Sequence, residues 1–299
     1  MSIKTKRITL ALFLSVILIF STAILVHAYS SVLSFGDSLS DNGYYQGYPG
    51  GTAGNTNPAD IYGFRRYSNG PVWVEYLAGP TLFNVPLLDL AYGGATTNID
   101  NPAAFSATSN PIYNTTTGLQ WQVATYAALH TISPTTLVTL WAGGNDMFQG
   151  RSAVTAATNI GLAIQNLINI GGREFVVPNL SYTDTDPYKS WKQPFDNSLS
   201  LVLAALIAAN PGVDIYGLDM NDFVPTGIDF FTGTWLAQTY GPGTYAWWDQ
   251  VGVHPTTEIH TQIADYAAGT VTPEPSTMLL FGSGLIALAG YGRKKFFKK

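Results

Sequence analysis

Five apolar runs bounded by Gly, Pro, Asn or Asp recur at wide intervals along the chain. They are Ser31-Val32-Leu33-Ser34-Phe35, Val85-Pro86-Leu87-Leu88-Asp89-Leu90-Ala91, Thr136-Leu137-Val138-Thr139-Leu140-Trp141-Ala142, Glu174-Phe175-Val176-Val177 and Val213-Asp214-Ile215-Tyr216-Gly217-Leu218. The third contains β-branched residues and barely alternates, the pattern of a strand covered on both faces. Between runs the period becomes helical. Ile160, Ile164, Leu167 and Ile168 share one face before Gly171-Gly172, and Leu199, Val202, Leu203 and Leu206 share another before Asn210-Pro211-Gly212. Such alternation predicts a three-layer α/β/α domain around a mostly parallel five-stranded sheet, with sites at the C-terminal ends of the strands. Two stretches fall outside the pattern: Gly43 to Asn57, rich in Gly and Tyr and without charge, and Asn101 to Thr117, rich in Asn, Thr, Ser and Pro. Both read as long loops, and no internal repeat is present.

Both ends of the 299-residue chain read as addressing segments. Lys4, Lys6 and Arg7 precede an apolar run from Ile8 to Val26, and Val26-His27-Ala28 offers small residues where signal peptidase would cut. Residues 1–28 therefore read as a signal peptide, an uncut signal anchor being the alternative. At the other end Val271-Thr272-Pro273-Glu274-Pro275-Ser276-Thr277 leads into an apolar run from Met278 to Tyr291. Arg293, Lys294, Lys295, Lys298 and Lys299 follow. The run is short for a bilayer span, which needs about 17–25 residues, and the terminal cations would stay on the cytoplasmic side. Setting 271–299 apart leaves 29–270, a length suited to one domain.

Charge sharpens this division. Between Tyr29 and Pro275 the basic residues are Arg65, Arg66, Arg151, Arg173, Lys189 and Lys192, against all nineteen acidic residues, a net charge of −13 where the whole chain carries −5. Such an acidic body argues against nucleic acid and anionic membrane surfaces as partners. Without cysteine there is no disulfide and no thiolate metal site, so an exported protein of this size relies on its core.

The candidate chemistry follows the strands. Phe35-Gly36-Asp37-Ser38-Leu39-Ser40-Asp41-Asn42-Gly43 closes the first run. Its Gly permits a tight turn, and Ser38 falls where a helix would begin, among unpaired N–H groups that suit a nucleophile creating an oxyanion. As plain structure, Asp37 and Ser38 would only cap that helix. Asp89-Leu90-Ala91-Tyr92-Gly93-Gly94-Ala95-Thr96-Thr97 ends the second run and Gly143-Gly144-Asn145-Asp146 the third. Paired Gly let a ligand approach the backbone, and an Asn amide is a good donor to a developing oxyanion; otherwise both stretches are ordinary turns. A base requires His, and the mature chain offers His130, His254 and His260. His130 ends a helix-like segment before Ser133-Pro134, where a cation complements the helix dipole. His260 reads as a solvated position on the last helix. His254 lies in Trp247-Trp248-Asp249-Gln250-Val251-Gly252-Val253-His254-Pro255-Thr256-Thr257, a loop running into that helix.

In this order the four stretches resemble the blocks of the GDSL, or SGNH, hydrolase family. Asn69-Gly70-Pro71-Val72-Trp73-Val74-Glu75-Tyr76 also looks like relatives, so the resemblance covers nearly the whole mature chain. It implies a flavodoxin-like fold with Ser38 as nucleophile and His254 as base. The oxyanion hole would be formed by the backbone N–H groups of Ser38 and Gly94 and the side chain of Asn145. Two departures stand out. The second block usually opens on Asn, here Asp89, and the acid usually found three residues before the His is replaced by Val251. The nearest acid is Asp249. Gly252 would let the longer loop bulge and return that carboxylate to the imidazole; the competing arrangement is a Ser-His dyad oriented by a backbone carbonyl.

The resemblance implies an exported hydrolase that cleaves carboxylic esters of lipids, short acyl groups or acylated sugars through an acyl-enzyme, with no metal or organic cofactor. The alternatives are an acyltransferase of the same family, or a non-catalytic cell-surface or biofilm matrix protein on a hydrolase fold. The Tyr- and Trp-rich loops suit sugar stacking and an acyl groove equally. Pro273-Glu274-Pro275, the apolar run and the basic tail resemble a PEP-CTERM sorting signal. That resemblance implies signal peptidase and an exosortase as processing partners, in a Gram-negative bacterium exporting polysaccharide, with exopolysaccharide a further candidate partner. The protein would reach the cell envelope, surface or exterior after transient anchoring by its C-terminal helix.

Overall fold

All five apolar runs become strands in the computed structural model, which describes residues 29–43, 66–68, 70–102, 116–182, 184, 186–226 and 254–271. They are β1 (Ser31–Gly36), β2 (Leu87–Asp89), β3 (Thr136–Trp141), β4 (Glu174–Pro178) and β5 (Asp214–Leu218). Every neighbouring pair is parallel, in the order β2-β1-β3-β4-β5. The sheet is thus wholly parallel, and its order reverses between β1 and β3, where a crevice opens at the strands' C-terminal ends. β2 is shorter than its run because Pro86 has no N–H for the ladder. Its carbonyl still accepts the Val32 N–H at 2.9 Å.

Alternation along the strands divides the core in two. Leu33, Phe35, Val138, Leu140, Phe175 and Val177 face one layer of helices, α2 (Leu119–Ala127), α4 (Ala153–Asn169) and α5 (Lys189–Ala209). Val32, Leu137, Trp141 and Val176 face the other, α1 (Trp73–Ala78) and α6 (Thr257–Val271). The short α3 (Gly144–Phe148) continues the turn after β3. Ile160, Ile164, Leu167 and Ile168 are all buried in α4, each such side chain contributing roughly 1.5–3 kcal/mol. On α5 the face is less complete: Leu199 and Leu203 are buried while Val202 and Leu206 are half-buried.

The helix expected at Ser38 is a single turn. Ser40 and Asp41 donate their N–H groups to Asp37 O at 3.1 and 3.0 Å. The next two amides are diverted, Asn42 N–H to Asp89 Oδ2 and Gly43 N–H to Asp41 Oδ1. Side-chain carboxylates have taken the donors that a second helical turn would need. Residues 44–57 and 103–115 of the two expected loops lie outside the described residues, as do the addressing segments 1–28 and 272–299 and Asp249.

Gly36 fixes the exit from β1. Its φ is +149°, and a Cβ there would stand 2.2 Å from the Trp141 carbonyl oxygen. The buried Gln122 of α2 clamps the same residue, accepting its N–H at 3.0 Å and donating to its carbonyl at 2.8 Å. Replacing Gly36 by Ala should cost at least the roughly 1–3 kcal/mol of a strained backbone position. Urea unfolding reads this directly; an unchanged midpoint would show that the turn tolerates a side chain.

Candidate active site

Ser38 and His254, 216 residues apart in sequence, meet at the C-terminal edge of β1, with Ser38 Oγ 2.8 Å from His254 Nε2. Ser38 is placed by the turn after β1. His254 is placed by the segment entering α6, which is tied at four points to the stretch between Ser68 and Tyr76. Ser68 Oγ donates to Pro255 O at 2.8 Å, and Thr257 Oγ1 donates to Pro71 O at 2.8 Å. Tyr76 Oη and Thr257 Oγ1 share a hydrogen bond at 2.7 Å, and Trp73 N–H donates to His260 Nδ1 at 3.2 Å. Ser68, Pro71, Trp73 and Tyr76 therefore serve as a bracket for the histidine loop.

His260 is fully buried, which corrects the expectation of a solvated position. Because its Nδ1 accepts a backbone N–H, the ring is neutral with its proton on Nε2. Burial, reinforced by the nearby His254, drops its pKa to about 3. His130 lies just past α2 and is exposed, its ring stacked on Tyr126 at 4.6 Å. Neither residue approaches Ser38 by any hydrogen bond.

Gly94 sits at φ +81° in the turn closed by Ala95 N–H on Tyr92 O at 3.0 Å, a position that favours glycine. Among the described residues, neither the Ser38 nor the Gly94 N–H has an acceptor. Asn145, in α3, donates its amide to Ala95 O at 3.0 Å and makes a longer contact of 3.4 Å with Asp37 Oδ2. The turns carrying Ser38, Gly94 and Asn145 are thus joined, and Asn145 bridges two of them.

Buried carboxylates supply the other links. Asp41 accepts the Gly93 N–H at 2.7 Å and Asp89 accepts those of Asn42 and Ala91 at 3.0 and 3.1 Å. Asp146 accepts both N–H and Oγ1–H of Thr97 at 2.8 and 2.9 Å. Asp at position 89 therefore does a job at the head of the second block: it receives two amides from two loops. Tyr67 stands over this junction, its ring 5.1 Å from that of His254. A Cβ on Gly93 would lie 2.1 Å from Tyr67, so the paired glycines leave room for that ring. Gln122, Asp41, Ser68 and Tyr67 escaped the sequence reading; Asp41 lay inside the first motif and Tyr67 and Ser68 just before the Asn69 stretch, while Gln122 gave no motif signal at all.

A parallel α/β sheet of order 2-1-3-4-5, with a serine and a histidine brought together at its switch point, defines the class of this protein. The profile of the GDSL-like lipase/acylhydrolase family matches residues 32–267, and the chain belongs to that family. A PEP-CTERM protein-sorting motif matches residues 271–294. The phosphatidylcholine-sterol acyltransferase of Aeromonas hydrophila is 29% identical over 206 residues, 64% of this chain and 59% of that protein. The chain thus spans about three fifths of the length of that curated relative. Among solved structures, a member of the lipolytic G-D-S-L family from Veillonella parvula aligns at TM-score 0.45 and 15% identity, covering 82% of this chain and 99% of that one. A catalytic mutant of an acetylxylan esterase from Geobacillus stearothermophilus aligns at TM-score 0.46 and 13% identity, covering 82% and 95%. Among the described residues no helix is long and apolar enough to cross a membrane, and the apolar run 278–291 lies outside them.

Asp37, beside the nucleophile, adds a titration to this network. Burial pushes its carboxyl from 3.8 up to about 7, with Asp146 and Asp41 adding repulsion and the Leu39 N–H and Asn145 amide opposing it. The folded protein therefore holds this proton more tightly than the unfolded chain. The stability it adds is fully present below pH 3.8 and is lost as pH rises through about 7. Asn at this position cannot titrate. The unfolding free energy of Asp37→Asn relative to the native protein should climb with pH across that window, by up to about 1.4 kcal/mol per unit. Parallel pH profiles in urea titrations would refute it.

Proposed function

We propose that this protein is a serine esterase acting through an acyl-enzyme, and the observation that carries the reading is the 2.8 Å contact between Ser38 Oγ and His254 Nε2. His254 takes the hydroxyl proton as Ser38 attacks the ester carbonyl. The backbone N–H groups of Ser38 and Gly94 receive the oxyanion together with the Asn145 amide, which gives up its long contact with Asp37 to do so. His254 returns the proton to the leaving alcohol, and water then releases the acyl group by the same route. Asp249, five residues before His254, completes the triad by fixing the imidazole tautomer and stabilising its protonated form. The intact pair of Ser38 and His254 weighs against a non-catalytic matrix protein. Acyl transfer to an alcohol is the second reading, favoured by the acyltransferase named among the relatives.

The sorting motif supports export. On this reading signal peptidase removes residues 1–28, the 29–270 domain is delivered to the cell surface, and an exosortase removes the segment from 271 onward. The intact mass of protein from its native host should fit a chain starting near Tyr29 and ending close to Pro275; a species retaining Arg293 to Lys299 contradicts the second cleavage.

Short p-nitrophenyl esters test the chemistry. Ser38→Ala should abolish turnover with the fold unchanged by circular dichroism, and activity within tenfold of the native protein would sink the assignment. Asp249→Asn should lower kcat by about 10²–10⁴, whereas near-full kcat would make the enzyme a Ser-His dyad. Adding a long-chain alcohol and measuring new ester against free acid separates transfer from hydrolysis.

A further inference from the structure

The peptide unit joining Gly93 to Gly94 carries the Gly94 N–H, which the esterase reading assigns to the oxyanion hole. A trans peptide is planar, so its N–H points opposite to its carbonyl, and whatever holds Gly93 O aims Gly94 N–H. The unit is the centre of a turn whose two ends are held. Asp41 Oδ2 accepts the Gly93 N–H at 2.7 Å, and Ala95 N–H donates to Tyr92 O at 3.0 Å. Gly94 has φ +81° while Gly93 lies outside the left-handed region, the pattern of a type II turn. A type I turn keeps the same ends and differs by about half a rotation of the central peptide. With glycine on both sides, no Cβ opposes that rotation. Rotated, the unit would present its carbonyl where the oxyanion needs a donor.

Asn101 opposes the rotation. It is fully buried and donates from Nδ2 to Gly93 O at 2.8 Å and to Thr117 Oγ1 at 2.9 Å. Its amide cannot be reversed, because Oδ1 would then face a carbonyl that only accepts. The loop after the glycine pair is folded to bring it there: Thr96 N–H and Oγ1–H both donate to Asp100 O, at 3.2 and 2.8 Å. Gly118 lets the start of α2 pass so closely that a Cβ would stand 2.2 Å from Asn98 O. Packing does not explain the amide. Among the described residues Asn101 Oδ1 is buried without a donor, a cost that an aliphatic side chain of similar size would avoid. The bond to Gly93 O also polarises the peptide, which strengthens Gly94 N–H as a donor.

We infer that Asn101 is a positioning residue for the oxyanion hole: it holds the Gly93 carbonyl and so keeps the Gly94 N–H turned toward the substrate oxygen. The inference rests on the serine-esterase reading, in which Gly94 is an oxyanion donor. Neither hydrogen bond of the Asn101 amide reaches Ser38 or His254, so its influence passes through the peptide. Loss of a whole oxyanion donor, about 10²–10³ in kcat, bounds the effect.

Assays of the full chain on p-nitrophenyl acetate test this. Asn101→Leu removes the donor at similar volume and should lower kcat at least about tenfold with KM within about threefold, the split of an interaction made only in the transition state. Thr117→Val removes the acceptor of the second amide proton and should lower kcat by about three- to tenfold, which keeps the inference testable if the Leu variant fails to fold. An alkyl boronic acid gives a readout without turnover. Its tetrahedral adduct on Ser38 Oγ, with the hydroxyl proton passed to His254, puts a negative oxygen in the hole. Its Ki should therefore rise across the variants in proportion to the fall in kcat/KM. A crystal structure of Asn101→Leu should show the Gly93 carbonyl rotated and the Gly94 φ no longer positive. Native kcat in both variants, a loss confined to KM, a Ki indifferent to the variants, or an unrotated peptide overturns the inference while the esterase reading stands. A native protein that cleaves no ester overturns that reading and this inference with it.

Discussion

Carboxylates buried beneath the catalytic turns are the constraint on which the rest of the site depends. A parallel sheet delivers its strand ends to one edge, but each strand there hands over to a separate loop with its own unsatisfied amides. Asp41, Asp89 and Asp146 collect those amides across loop boundaries: the first loop to the second through Asp41 and Gly93, the first to the second again through Asp89 and Asn42, and the third to the second through Asp146 and Thr97. Each hydrogen bond to a charged acceptor adds about 1.5–3 kcal/mol, and losing one leaves a buried charge or donor unmatched at similar cost. The loops are therefore set relative to one another before any substrate arrives. Preorganisation of this kind is what gives an oxyanion hole its value.

The same arrangement carries a cost in the electrostatics. Asp89 and Asp146 are raised above the ordinary carboxylate range, mainly by burial, as is Asp37 beside the nucleophile. Crowding acids under a site that must stabilise a negative transition state looks counterproductive. The N–H groups that converge on these acids offset much of it, and the acid that is left poorest in donors is Asp37. As Asp37 takes up its proton below about pH 7, the charge one residue from Ser38 is removed, and the contact with Asn145 becomes weaker. Both changes free the Asn145 amide for another acceptor, so the burial that disfavours an ionised Asp37 also disposes the site toward an anion on the substrate.

Much of this was legible in the sequence. The apolar runs and their helical intervals specified the sheet and its two helix layers, because period and burial are the same physical fact read in two ways. Three of the four motifs marked where the turns after β1, β2 and β3 would fall, since each combines glycine with a small polar residue at a strand end. What failed was anything set by long-range contact. His260 follows the hydrophilic pattern of a surface helix position, yet the Trp73 backbone claims its Nδ1 and Ile259 and Ile263 pack beside it in α6. Gln122 reads as one more polar residue of an amphipathic helix, and only its partner Gly36, 86 positions earlier, gives it meaning. The helix at Ser38 stops after one turn for a related reason, because local propensity does not know that a carboxylate 47 residues away will take the Asn42 amide.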